Sequence, residues 1–157
     1  MVKMVIPFFV AAIMLVFISS CDSTRVYEEY HSIPEPGWHK DSVSVFEVLI
    51  TDTLQNHNLL VNVRNSISYK YSNLWLFIEI EQPGGTFAKD TFELSLADPM
   101  GKWLGEGFGG LKTRQVVYRR NVYFPRRGTY RIQIRQGMRE EILEGINDIG
   151  FRVEKIH

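Results

Sequence analysis

From Val43 onward the apolar residues of this chain fall on every second position, in short runs cut by glycine and proline. The run 74–81 is the clearest: Leu74, Leu76, Ile78 and Ile80 share one parity, while Trp75, Phe77, Glu79 and Glu81 share the other. A strand sends successive side chains to opposite faces and has this period; a helix, at 3.6 residues per turn, does not. The same alternation recurs in 43–51 (Phe46, Val48, Ile50), 59–64 (Leu59, Val61, Val63), Phe92–Leu96, Gln115–Phe124, Thr129–Gln136 and Ile149–Glu154. Pro83-Gly84-Gly85 and Ala97-Asp98-Pro99-Met100-Gly101 supply turns between runs. Short half-buried strands of this kind predict an all-β fold, an antiparallel β-sandwich of immunoglobulin-like or jelly-roll-like order. One short helix is predicted at Met138–Leu143, closed by Gly145 and plugging one end.

The N-terminus obeys a different rule. Lys3 is the only charge before Asp22, and Met4 to Ile18 is almost wholly apolar. Ile18-Ser19-Ser20-Cys21 then places two small residues before a cysteine. A basic start, an apolar run and a small-residue cleavage site make a secretory signal, too short for a spanning helix of about 20 residues. A thiol at the new N-terminus can carry a diacylglyceryl group, so Cys21 is the expected lipid attachment site, bearing fatty acids such as palmitate. Residues 1–20 therefore read as a lipoprotein signal peptide, 21–42 as a lipidated tether broken by Pro34, Pro36 and Gly37, and 43–157 as the sandwich domain. The expected location is the cell envelope, on a membrane and facing the periplasm; inner and outer membranes both fit.

Cys21 is the only cysteine, so no internal disulfide can form, and stability must come from a packed core. Seven Tyr, three Trp and the seven Phe that follow residue 20 make such a core possible. Without Lys3 the count is 17 basic residues against 18 acidic ones, which leaves no excess charge for a nucleic-acid backbone. His31, His39, His57 and His157 stand in no metal-ligand spacing, and neither a G-x-S-x-G elbow nor an H-E-x-x-H pair occurs. No catalytic residue, metal or cofactor is predicted.

Three aromatic residues stand out as candidates for contact. Trp75 has the outward parity of its strand, so it is either covered by the tether or offered to a partner. The segment Leu96–Gly110 holds Trp103 and Phe108, and four of the chain's twelve glycines fall in its last six residues. A glycine-rich segment is costly to order. Trp103 is expected to anchor it in the domain as a structural residue, and Phe108 to present a contact surface alongside Trp75.

Several strings resemble the gliding-motility lipoprotein H family of Bacteroidetes. They include Val26-Tyr27-Glu28-Glu29-Tyr30, Trp38-His39-Lys40-Asp41, Asn62-Val63-Arg64-Asn65 and Tyr71-Ser72-Asn73-Leu74-Trp75-Leu76-Phe77. Leu96-Ala97-Asp98-Pro99, Gly101-Lys102-Trp103-Leu104-Gly105, Gly128-Thr129-Tyr130 and Gly145-Ile146 continue it in order over nearly the whole mature chain. The resemblance implies a non-enzymatic envelope lipoprotein, an accessory of the gliding-motility and type IX secretion machinery. Its partners would be the membrane, through the acyl chains on Cys21, and other envelope lipoproteins or motility and secretion proteins. The second reading is an envelope lipoprotein that binds a glycan or peptidoglycan through exposed aromatics.

Cys21→Ala should block acylation, leaving a slower-migrating precursor that takes up no labelled fatty acid. Label retained by that variant would exclude the lipoprotein assignment.

Overall fold

The computed structural model describes residues 22–85 and 87–156; the predicted signal peptide and Cys21 lie outside them. The described chain forms ten strands: β1 (Arg25–Ser32), β2 (Trp38–His39), β3 (Ser44–Ile50), β4 (His57–Ser66), β5 (Asn73–Glu81), β6 (Phe87–Ser95), β7 (Leu111–Val122), β8 (Gly128–Gln136), β9 (Ile142–Leu143) and β10 (Ile146–Lys155). The fold point is Pro83-Gly84-Gly85. Gly84 and Gly85 have φ of 102° and 84°, and the Gly85 amide donates to the Gln82 carbonyl at 3.0 Å. Only glycine enters that backbone region without strain.

Outward from this turn the chain pairs with itself as nested rungs. β5 lies on β6, β4 on β7, β3 on β8, β2 on β9 and β1 on β10, every pair antiparallel. Rolling this long hairpin sets β4 beside β10 and β5 beside β8. The result is two four-stranded sheets, β1-β10-β4-β7 and β3-β8-β5-β6, with a two-stranded β2-β9. Of the two sandwich orders open to the sequence, this is the jelly roll.

The alternating apolar residues fill the space between the sheets. Leu74, Leu76 and Ile78 are fully buried on β5, as are Phe46 on β3, Val61 and Val63 on β4, Ile134 on β8 and Phe151 on β10. Full burial of each such side chain contributes about 1.5–3 kcal/mol. His57, Phe124 and Tyr130 close the end of the core nearer the fold point, with ring centroids 4.7–5.2 Å apart.

Two expectations need correction. The segment 138–143 is not helical, and no helix occurs among the described residues. Buried Gln136 accepts from the Met138 amide and donates to the Glu140 carbonyl, both at 2.8 Å, and β9 pairs with β2. A six-residue helix hardly outgrows its own nucleation, so these tertiary bonds prevail. Trp38, 1% exposed and hydrogen-bonded through Nε1 to the Ser42 carbonyl, sits in the plug that the helix was expected to form.

The region read as tether is in large part domain. β1 is an edge strand paired with β10 along its length, and its residues are mostly polar because its outer face meets solvent. Buried Arg152 on β10 binds Glu28 at 2.9 Å, Glu154 at 2.7 Å, and the Asp22 carboxylate. Burial works against the charge of Arg152, yet the bonds from Asp22 and Glu154 outweigh it and hold the guanidinium above its ordinary pKa. The Tyr30 ring lies over Gly150, where a Cβ would come within 2.9 Å of Tyr30 Cδ1. Neither Tyr30 nor Trp38 lines the surface around Trp75, so of the two alternatives for that residue, cover by the tether is not the one these side chains supply.

A chain starting at Val43 lacks β1, Trp38 and two of the carboxylates on Arg152. Trp38 alone accounts for about 3–5 kcal/mol, against a total stability of roughly 5–15 kcal/mol for a domain. Circular dichroism should show a single cooperative melt for residues 22–157 and none for 43–157. A cooperative melt of 43–157 within a few degrees of the longer chain would show that β1 is dispensable.

Candidate functional site

The outer face of the β3-β8-β5-β6 sheet carries the residues that alternation pushed away from the core. Trp75 and Phe77 stand there on β5, 38% and 44% exposed, while Leu74, Leu76 and Ile78 on the same strand are buried. They form one side of a groove of about 660 Å³, lined also by Tyr71, Asn73, Thr91 and the segment Gly137–Glu140.

The groove owes its shape to the segment just after β8. Ladder pairing ends at Leu76 with Gln136. The chain then stays against β5 through the Gly137 amide, which donates to the Trp75 carbonyl at 2.7 Å. A Cβ at Gly137 would stand 3.3 Å from both Phe77 Cε2 and the Trp75 carbonyl carbon, so glycine permits this close approach. Met138 Sδ accepts from the Trp75 amide at 3.4 Å, and the Tyr71 hydroxyl donates to Glu140. Asn73 donates to Glu93 at 2.6 Å on the other side.

Beyond Phe77 the groove turns ionic. A second cavity of about 490 Å³ shares Phe77 and Thr91 with the first and adds Glu79, Lys89, Asp90 and Arg135. Glu79 binds Lys89 at 3.1 Å and Arg135 at 2.6 Å. The Lys89 hydrogen bond, ahead of the other contributions, holds the Glu79 carboxyl below its usual range. Asp90 reaches across to the other sheet, accepting from Tyr118 at 3.0 Å and Arg119 at 2.8 Å. The Arg119 bond chiefly lowers the Asp90 pKa, and burial chiefly pushes the Tyr118 hydroxyl up to about 12.

Chemically, the groove presents groups suited to stacking and hydrogen bonding. Two aromatic rings two residues apart on one strand, about 7 Å along it, can stack on flat apolar groups. Asn73, Thr91, Arg139 and Glu140 offer hydrogen bonds around them.

The three aromatics singled out in the sequence fall in different places. Trp75 lies in the groove. Trp103 is partly buried, pairs as a bridge with Ala97 and packs against the core. Phe108 is fully exposed at the tip of the β6–β7 connection and is not among the residues that line the Trp75 groove. That connection is ordered by Glu106, which exchanges backbone bonds with Thr113 at 2.9 and 2.7 Å, and by Gly107 and Gly109 at φ of 143° and 66°. Phe77, Tyr71 and Met138 were not singled out. The shared parity of Phe77 with Trp75 was a usable signal. Tyr71 and Met138 reach the groove from connections on which no periodicity acts.

Known proteins similar to this chain agree with one another. A profile of the GldH lipoprotein family matches residues 25–153. The gliding motility lipoprotein GldH homolog of Christiangramia forsetii is 44% identical over 154 residues, covering 94% of each chain. The gliding motility lipoprotein GldH of Flavobacterium johnsoniae is 40% identical over 147 residues, covering 89% of this chain and 91% of its own. Among solved structures, a family GH115 4-O-methyl-α-glucuronidase aligns with a TM-score of 0.42 at 10% identity, over 88% of this chain and 18% of its own; a likeness of that size says nothing about chemistry.

Trp103→Ala should lower stability by about 2–3 kcal/mol, because the ring is partly rather than wholly buried. Phe108→Ala should change it by less than about 0.5 kcal/mol. Chemical denaturation of both variants checks the pair, and a reversed order would invert the division between anchor and contact.

Proposed function

The chain belongs to the GldH lipoprotein family, and on that premise we propose that it is a non-enzymatic, membrane-anchored envelope lipoprotein serving the gliding-motility and type IX secretion machinery through protein contacts. Acyl chains on Cys21 hold it to the membrane, and the folded domain faces the periplasm. The observation that carries the contact reading is the aromatic groove. Trp75 and Phe77 are large, half-exposed and side by side on a sheet face, and isolated domains seldom leave such an apolar patch open without use. Aromatic side chains are also enriched where protein interfaces concentrate their energy. Phe108, at the tip of the β6–β7 connection, serves as a second and separate contact point.

The same groove supports one alternative. Two exposed rings bordered by Asn73, Arg139 and Glu140 suit stacking on sugar rings, so a glycan or peptidoglycan strand is the other occupant its chemistry admits.

The test replaces the Flavobacterium johnsoniae relative with this chain. The wild-type chain should restore colony spreading, and the Trp75→Ala/Phe77→Ala double variant should not, although it folds and reaches the envelope at normal levels. Spreading restored equally by both would remove the groove from the function. Purified peptidoglycan separates the two readings. Binding to it that the double variant loses favours the glycan ligand, and no binding by either form favours a protein partner.

A further inference from the structure

The jelly roll has two chemically different ends. Strands β1, β4, β7 and β10 place residues 22–25, 51–56, 123–127 and 155–156 together at one end, with the fold point 82–85. The connections 33–43, 67–72, 96–110 and 137–145 gather at the other, about 30 Å away along a ten-residue strand. At the first end Arg25, Arg126, Arg127 and Lys155 stand against Asp22 and Asp52, four cations to two carboxylates. At the far end seven carboxylates stand against four cations. The chain has no net formal charge, yet it is polarised along its long axis.

Position adds to charge. Asp22 is bound to Arg152, and the Lys155 amide donates to the Thr24 carbonyl at 2.8 Å, so the first described residues are tied to the basic end. Cys21 is one peptide bond from Asp22, about 4 Å of chain. Around that point two apolar tips project: Leu54, 88% exposed, and Tyr123, 58% exposed. The Leu54 amide donates to Asp52 at 2.9 Å. Three residues beyond Tyr123, the Arg126 carbonyl accepts from the buried Tyr130 hydroxyl at 3.0 Å. Arg127 beside it is exposed.

We infer that this end of the sandwich is a docking surface for the anionic bilayer that holds the acyl chains of Cys21; the inference rests on the lipoprotein reading above. Arg126, Arg127 and Arg25 meet lipid phosphates while Leu54 and Tyr123 enter the headgroup layer. Basic residues close to an anionic membrane each strengthen binding by about fivefold, and an acyl anchor supplemented by a basic patch is held more firmly than one without. The acidic far end is repelled by the same surface. The domain therefore stands upright, with the β6–β7 connection and Phe108 held away from the membrane and the groove mouth turned sideways.

The test uses the full lipidated chain in vesicles. Acylation consumes the only native thiol, so a cysteine introduced as Leu54→Cys or Ile67→Cys is a unique site for a fluorescent label, at the basic and far ends respectively. Headgroup-level spin-labelled lipid should quench the label at 54 in phosphatidylglycerol vesicles and leave that at 67 bright. Arg126→Glu/Arg127→Glu, or a change to phosphatidylcholine, should relieve quenching at 54. Equal quenching at both positions, none at 54, or quenching at 54 that ignores lipid charge would overturn the docking surface while leaving the lipoprotein reading intact. A wild-type chain that itself takes the thiol label and floats free of vesicles would overturn the lipoprotein reading, and this inference with it.

Discussion

The pairing of the first strand with the last is the constraint on which the rest of this domain depends. In a nested hairpin the outermost rung closes over the longest stretch of chain, here from Arg25 to Glu154, and chain entropy opposes it most. No disulfide can hold that closure, because the single cysteine lies at residue 21. The closure is instead held by the β1–β10 ladder, the Tyr30 ring on Gly150, and Arg152 among Asp22, Glu28 and Glu154. Asn62 extends the network inward, donating to Glu28 at 3.1 Å and accepting from Gln115 at 2.9 Å. Buried polar groups are tolerated when each finds a partner, and a shared cluster of this kind fixes one register among many. Arg64 and Ser32, both on Asp148, repeat the device one step along the sheet.

That closure also brings both ends of the described chain to one pole of the roll and all the long connections to the other. With Asp22 held by Arg152, a lipid anchor on Cys21, as proposed above, would act on an oriented body and present a defined end of the sandwich to the membrane. The faces left free are the far connections and the open sheet face with its groove.

The two sheets divide the work. The β1-β10-β4-β7 sheet has central strands buried on both faces, its outer side roofed by Tyr30 and by the ionic network. The β3-β8-β5-β6 sheet has one buried face and one that is wet, and on the wet face Trp75 and Phe77 remain open side by side. β5 joins the two roles: Leu74, Leu76 and Ile78 hold the core while Trp75 and Phe77 stay outside. The rigidity of the groove is thus set by the same strand that anchors the core, which favours precise presentation of its rings.

Alternation along the chain was enough to set the all-β class, the inner residues of β3, β4, β5, β8 and β10, and the outward setting of Trp75, since a period of two is a local property of the backbone. The residue strings also carried the family resemblance, confirmed over residues 25–153. Four features came from tertiary structure alone. The jelly-roll order depends on which strands meet after the hairpin rolls, and alternation is the same for every order. β1 was read as tether because an edge strand with a polar outer face shows no apolar period; pairing with β10 makes it a strand. Residues 138–143 have helical composition, and the buried amide of Gln136 together with β2 overrode it. The groove arose where Gly137 and Met138 lie against β5, with Tyr71 and Glu140 brought over it. Residues 62 to 69 positions apart in sequence met there because closing the roll, rather than any local preference, set their distance.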